Sequence, residues 1–259
     1  MDLGISGRRA LVCASSQGLG LACATALARE GVLVTLNSRN AEHLDEAARG
    51  IEAAFGVRPA TIVANINSEA GRQTLLDGCG EVDILVNNNA GPPPGALPDW
   101  DHAAWLAAIE ANMLAPILLI RALVPAMRER RFGRIVNITS AMVKTPRTRM
   151  ALSTAARTGL TAFSKALSLE IAKDNVTINN LLPERIDTGR QEFMATKMMA
   201  DLNIDRPEAR RRIAETVAAK RFGLPEEFGD ACAFLCSAQA GFISGQNLSL
   251  DGGSYAGLI

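Results

Sequence analysis

Residues 9–29 read Arg9-Ala-Leu-Val-Cys-Ala-Ser-Ser-Gln-Gly-Leu-Gly-Leu-Ala-Cys-Ala-Thr-Ala-Leu-Ala-Arg29. A short apolar run leads into a small-residue turn with glycines at 18 and 20, and an apolar-periodic helix over 21–29 follows. Glycines in that place let the backbone approach a pyrophosphate and let helix pack on strand. The helix N-terminus adds unpaired N–H groups and the positive end of its dipole. Two glycines alone say little, because turns use them everywhere; the strand before and the helix after give them meaning.

The same alternation continues outward from this unit. Short β-branched runs fall near 9–14, 32–37, 60–65, 82–87, 133–139, 176–182 and 247–250, with helical patterns between most of them. Repeated βαβ units require right-handed crossovers, a parallel seven-stranded sheet and helices on both faces. Ligand then belongs beyond the carboxyl ends of the strands. The reading is an α/β, doubly wound, Rossmann-type fold. No Pro/Gly/Ser linker divides the chain, so residues 1–259 are expected to form one domain. The segment 187–218 breaks the rhythm with Phe193, Met194, Met198, Met199 and the run Arg210, Arg211 and Arg212. Its place after the sixth strand suits a lid over substrate, while ordinary packing of the methionines and a solvated arginine face is the plainer account.

Composition narrows the partners. Lys and Arg number 27 against 27 Asp and Glu, so no net field draws the protein to nucleic acid or to an anionic membrane. Apolar residues make up 48% and charged residues 21%, as expected where Val, Ile, Leu and Ala fill parallel strands and their covering helices. No signal-like N-terminus is recognisable and no apolar run is expected to reach the ~18 residues of a spanning helix, which reads as a cytoplasmic protein without a membrane partner. The five cysteines, Cys13, Cys23, Cys79, Cys232 and Cys236, are odd in number and lie in apolar segments. Reduced core thiols fit them better than a disulfide framework, and Cys232 with Cys236 lacks the further ligands of a metal site.

Several motifs together resemble the short-chain dehydrogenase/reductase family, in particular its 3-oxoacyl-acyl-carrier-protein-reductase-like members. The family's Thr-Gly-x3-Gly-x-Gly loop maps onto residues 13–20, with Cys13 and Ala14 replacing its first two members. Asn88-Asn89-Ala90-Gly91 is similar to its Asn-Asn-Ala-Gly motif, with the register open by one position in a run of three asparagines. Asn112 matches its structural asparagine. Pro183 and Thr188 match its Pro-Gly…Thr segment with Glu184 in the glycine position, and Asp251-Gly-Gly253 matches its C-terminal signature. The resemblance spans nearly the whole chain. It implies a nicotinamide dinucleotide held by Ser15, Ser16, Gln17, Gly18, Leu19 and Gly20, by Ser38 and Arg39, and by Asn65 and Ile66. Asn88, Ala90 and Gly91, then Arg157, then Pro183, Glu184, Ile186 and Thr188 would complete the cradle. It also implies pairing into a homodimer or homotetramer through the long helices 101–128 and 150–172.

The end of the second strand decides between coenzymes. A carboxylate there would bind the ribose diol of NAD and repel a 2′-phosphate; this chain has Ser38-Arg39. An arginine fork pairs with a phosphate, so NADP is expected over NAD.

The catalytic positions depart from the resemblance. Family members carry a Ser on the fifth strand, a Tyr thirteen residues on and a Lys four further. The ammonium lowers the pKa of the phenol, which exchanges a proton with the substrate oxygen while Ser holds it. Ser140 fills the first position, but Ser153 and Arg157 stand at the other two. Nothing in the sequence ties the one tyrosine, Tyr255, to this role. A serine hydroxyl is too weak an acid to replace phenol near neutral pH. Lys144, four residues past Ser140, is the leading substitute and Glu184 the second. His43 and His102 lie on segments remote from Ser140 and are set aside. Two functions stay open: an NADP-dependent oxidoreductase acting on a small-molecule carbonyl or alcohol with a rearranged proton donor, or a catalytically impaired NADP-binding protein serving as a sensor or assembly subunit. Met and Phe of 187–218 would suit an apolar substrate part, whereas Arg147, Arg149 and Arg185 would suit an acidic one.

Overall fold

The computed structural model describes residues 2–258 and shows one seven-stranded sheet. Its strands are β1 (Arg9–Val12), β2 (Leu33–Ser38), β3 (Ala60–Val63), β4 (Ile84–Asn87), β5 (Gly133–Ile138), β6 (Val176–Pro183) and β7 (Asn247–Leu250). They lie in the order β3-β2-β1-β4-β5-β6-β7, every neighbour parallel. This is the doubly wound α/β architecture, with the order reversing between β1 and β4.

Successive strand residues point to opposite faces, and each face has its own helices. Ala10 and Val12 join Val34, Leu36, Ile84 and Val86 under α1 (Gly18–Arg29), α2 (Ala41–Phe55) and α9 (Pro225–Cys236). Leu11 joins Leu85, Ile135 and Ile178 on the other side. There the cover is α3 (Glu69–Cys79), α5 (Ala115–Glu129) and α6 (Ala151–Ile171). Because both faces are covered, β4 and β5 are buried along their whole length.

One helix departs from expectation. It runs unbroken from His102 to Glu129, through α4 (His102–Ile109), a π-helical turn at Glu110–Leu114 and then α5. At 28 residues it is long and apolar enough to meet the length and composition of a membrane span, which corrects the expectation that no run reaches that size. Its apolar character has another use, since Leu119 and Ile120 are fully buried against the sheet. A second adjustment falls at α1, which begins at Gly18 rather than at 21. The two glycines are therefore its first turn.

The segment after β6 forms α7 (Gly189–Leu202) and α8 (Arg206–Glu215) around a small core of its own. Met194, Met198, Met199 and Phe222 surround Ala195, Ala209 and Ile213. The arginines there are paired: Arg210 with Asp187 and Glu192, Arg211 and Arg212 with Glu208. The methionines thus pack within the segment itself, the plainer of the two accounts. All five cysteines are free thiols, four of them buried, and burial pushes Cys13 up to about 12.

A chain of carboxamides crosses the sheet near its carboxyl edge. Asn87 Nδ2 donates to Asn137 Oδ1 at 2.8 Å, Asn137 Nδ2 to Asn180 Oδ1 at 3.1 Å, and Asn180 Nδ2 to Asn247 Oδ1 at 2.8 Å. These four residues are also the backbone partners in the β4–β5, β5–β6 and β6–β7 registers. Asn137 is completely buried and donates as well to Ser164 Oγ at 3.0 Å on α6. Substituting Asn137→Ala strands the amide of Asn87 and the carbonyl of Asn180, each worth about 1–3 kcal/mol when buried without a partner. Urea unfolding should show a loss of about 2–6 kcal/mol. A midpoint unchanged from wild type would mean that the ladder does not hold the strands.

Candidate functional site

Most residues expected to bind coenzyme follow the carboxyl ends of β1, β2, β3, β4 and β6, and Arg157 comes from α6. Gln17 is the N-cap of α1 and its side chain makes no capping hydrogen bond, so the first amides of the helix remain available to an anion. Gly18 has φ +60°, the left-handed region, and Thr188 comes over it: a Cβ built on Gly18 would stand 3.9 Å from the Thr188 Cβ. At Gly20 a Cβ would collide with the carbonyl of Ala14, which fixes glycine there by close approach. Ala14 itself has φ +45°, a conformation favouring glycine, at the position where the family pattern has one. The loop between them brings Ser16 and Leu19 to partly exposed places. Ser15 is turned inward instead, its Oγ donating to Val12 O at 2.8 Å and accepting from the Asn37 amide.

Ser38 and Arg39 follow β2 as expected. Ser38 Oγ accepts from the Asn40 amide at 3.1 Å, while Arg39 is exposed and forms no ion pair among the described residues. Asn65 turns the chain after β3, its Oδ1 accepting from the Asn67 amide, and Ile66 is buried beside the cleft.

The three asparagines at the end of β4 and after it divide their duties. Asn87 belongs to the ladder. Asn88 Nδ2 donates to Ala14 O at 3.1 Å and ties β4 to the glycine turn. Asn89 Nδ2 donates to Asn67 Oδ1 and to Ala111 O, tying the loop to the long helix. Asn112, within the π-helical turn, donates to Ala90 O at 3.0 Å. Irregular helical turns of this kind often mark functional positions. These residues, with Ile138, Arg157 and Leu160, line a narrow cavity of about 20 Å³, near the size of one water. Asn87 Oδ1 and Asn112 Oδ1 are buried acceptors there without a protein donor among the described residues.

Ser140 caps the turn after β5, its Oγ accepting from the Met142 amide at 3.2 Å, and remains 8% exposed. One turn on, Lys144 is partly buried with its ammonium 4.9 Å from the centre of the Tyr255 ring. Sequence spacing had no means of finding this pair: 111 positions separate the two residues, and only the parallel placement of β5 and β7 beside β6 joins them.

Ser153 and Arg157 sit one turn apart on α6, and the Arg157 guanidinium donates to Ser153 Oγ and, at 3.3 Å, to Asn89 O. No carboxylate pairs with it among the described residues. Desolvation deep in the cleft, with Arg190 nearby, brings its pKa down to about 10. At Gly91 a Cβ would stand 2.9 Å from this guanidinium, which would have to shift. Along β6 and beyond, Pro183 closes the strand, Ile186 is buried and Thr188 begins α7. Glu184 Oε1 is committed to two guanidiniums, Arg147 at 3.2 Å and Arg185 at 3.1 Å, which removes it as an unencumbered proton donor. His43 and His102 are both exposed on outer helices.

An uncapped helix end, glycines held by close contact and a cleft at the switch point define a Rossmann-type dinucleotide-binding protein. Comparison with known proteins carries this further. The family described as enoyl-(acyl carrier protein) reductase matches residues 13–255. The NADPH-dependent reductase BacG of Bacillus subtilis is 32% identical over 96% of this chain and 98% of its own. The 3-oxoacyl-[acyl-carrier-protein] reductase FabG of Escherichia coli is 32% identical over 98% of this chain and 99% of its own. Among solved structures, L-sorbose reductase from Gluconobacter frateurii, complexed with NADPH and L-sorbose, superposes with TM-score 0.95 at 32% identity, covering all of both chains. The chain belongs to the short-chain dehydrogenase/reductase family.

Proposed function

We propose that this protein is an NADPH-dependent reductase of small carbonyl compounds whose proton donor is Lys144. The observation that carries the reading is the complete cradle around the α1 N-terminus, roofed by Thr188, with Arg39 unpaired at its edge and Ser140 at the end of the neighbouring strand. Bound NADPH would supply the hydride. Arg39 meets the 2′-phosphate, the α1 amides meet the pyrophosphate, and Arg157 presents donors to ribose hydroxyls. Ser140 Oγ holds the substrate oxygen, and Lys144 gives that oxygen its proton. The Tyr255 ring beside the ammonium orients it by cation–π attraction. Ser153, joined to Arg157, positions that guanidinium rather than exchanging protons, and Asn112 holds the Ala90 loop against the cleft. The helices of 187–218 close over substrate as a lid, anchored to the end of β6 by the Arg210–Asp187 pair.

The Arg157–Ser153 pair also favours a second reading, a coenzyme-binding protein without turnover, since these two residues stand where the family pattern has its Lys and Tyr. Steady-state assays with NADPH and a carbonyl panel separate the two. Restoring activity with the double change Ser153→Tyr and Arg157→Lys in a silent wild type would favour the second.

Three expectations follow from the first reading. NADPH should bind at least about tenfold more tightly than NADH, roughly 1.4 kcal/mol, and Arg39→Ala should erase the preference in a fluorescence titration. Equal affinities in the wild type would remove the case for NADP. Lys144→Met should lower kcat by about 10²–10⁴ with coenzyme affinity nearly unchanged, whereas Ser153→Ala should cost far less. A fully active Lys144→Met would end its candidacy. Helices 102–129 and α6 expose Leu106, Leu114 and Leu169, so a dimer or tetramer is expected at micromolar concentration; sedimentation as a pure monomer would refute it.

A further inference from the structure

The carboxyl ends of β5, β6 and β7 gather more positive charge than they neutralise. Lys144 and Arg147 come from the loop after β5, and Arg185 from the end of β6. Of these three cations the two guanidiniums share one carboxylate oxygen, Glu184 Oε1. The other acids nearby are committed elsewhere. Asp251 accepts from the amides of Gly253 and Tyr255, Asp187 pairs with Arg210, and Glu215 with Arg211. Lys144 rests on an aromatic ring and on no carboxylate among the described residues.

Arg185 is the informative member. Its side chain is only 16% exposed, its Nε is shared between Glu184 and Thr216 Oγ1, and no hydrogen bond occupies its terminal nitrogens among the described residues. Its backbone has φ +52°, the left-handed region that favours glycine, and the strained turn delivers this side chain between β6 and the end of α8. Burial lowers its pKa, opposed by Glu184 and reinforced by Arg147. A largely desolvated guanidinium with half a counter-ion is an anion site awaiting its anion. Lys144 and Arg147 follow Ser140 on the loop after β5, and the Arg147–Glu184 pair joins that loop to the end of β6.

We propose that Arg147 and Arg185 form a carboxylate subsite beside Ser140, which makes the substrate an oxo acid. The proposal rests on the reductase reading for the identity of the reacting group, but not for the binding of the anion. A monoanion suits the site: planar guanidinium forks match a carboxylate in bidentate fashion, while a phosphate dianion would set a second negative charge against Glu184.

The test uses the protein saturated with NADP⁺, so that binding is read without turnover. A series of 2-, 3- and 4-oxo carboxylates, each beside its methyl ester, is titrated by calorimetry. At least one acid should bind about tenfold or more tightly than its ester, and the difference should shrink as salt is raised. Arg147→Met should bring acid and ester within about threefold of each other, and Arg185→Met should do the same. Arg147 is 41% exposed, so its variant decides the matter even if Arg185→Met does not fold. Acids that nowhere outbind their esters, or an acid preference untouched by Arg147→Met, would overturn the subsite. So would tighter binding of phosphate-bearing carbonyl compounds than of every acid. Preference for acids without NADPH oxidation by any carbonyl compound would sustain the subsite and remove the reductase reading instead. Turnover with equal kcat/KM for acid and ester would do the reverse.

Discussion

The ladder of carboxamides Asn87, Asn137, Asn180 and Asn247 fixes the part of the sheet on which the site depends. In a sheet buried on both faces, apolar side chains specify which residues point inward but distinguish weakly between registers two residues apart. Polar groups in such a place tolerate one alignment, because any other leaves amides unpaired at about 1–3 kcal/mol each. Strands β4 to β7 are thereby aligned so that their carboxyl ends finish at matched heights. The segments that follow, carrying Asn88, Ser140, Glu184 and Asp251, then emerge on one rim.

That rim works by close approach as much as by charge. Gly20 lets α1 press against the Ala14 carbonyl, Asn88 bonds the same carbonyl, and Gly91 makes room for the Arg157 guanidinium. The first turn of α1, the loop after β4 and α6 are thus mutually dependent. Arg157 extends the dependence to Ser153, and its desolvated charge, without a carboxylate among the described residues, is met by a hydroxyl and a carbonyl. Tyr255 and Lys144 show the same economy beyond the ends of β5 and β7, where an aromatic face lies against the ammonium.

Seven strands, their parallel order and the glycine turn were legible from residues 9–29 and the alternation that repeats after them, because hydrophobic period and turn chemistry are local properties. The absence of a carboxylate at Ser38-Arg39 was equally legible, since it needs only the place of these residues at the end of β2. The packing of the methionines after β6 was not: Met194, Met198 and Met199 look alike whether they face a ligand or one another, and in the fold they pack around Ala195, Ala209 and Ile213.

Sequence by itself thus determined the fold, the family and the coenzyme class, all of which rest on residue type at fixed spacing. Tertiary structure alone decided which asparagine after β4 does what, the inward turn of Ser15, the capture of Glu184 by two arginines and the meeting of Lys144 with Tyr255. The physical reason is the same in each case. A side chain's chemistry is set by the charges and hydrogen-bonding groups around it, and in a parallel sheet those neighbours come from strands far apart in the chain, brought level at one edge only when the whole sheet has formed.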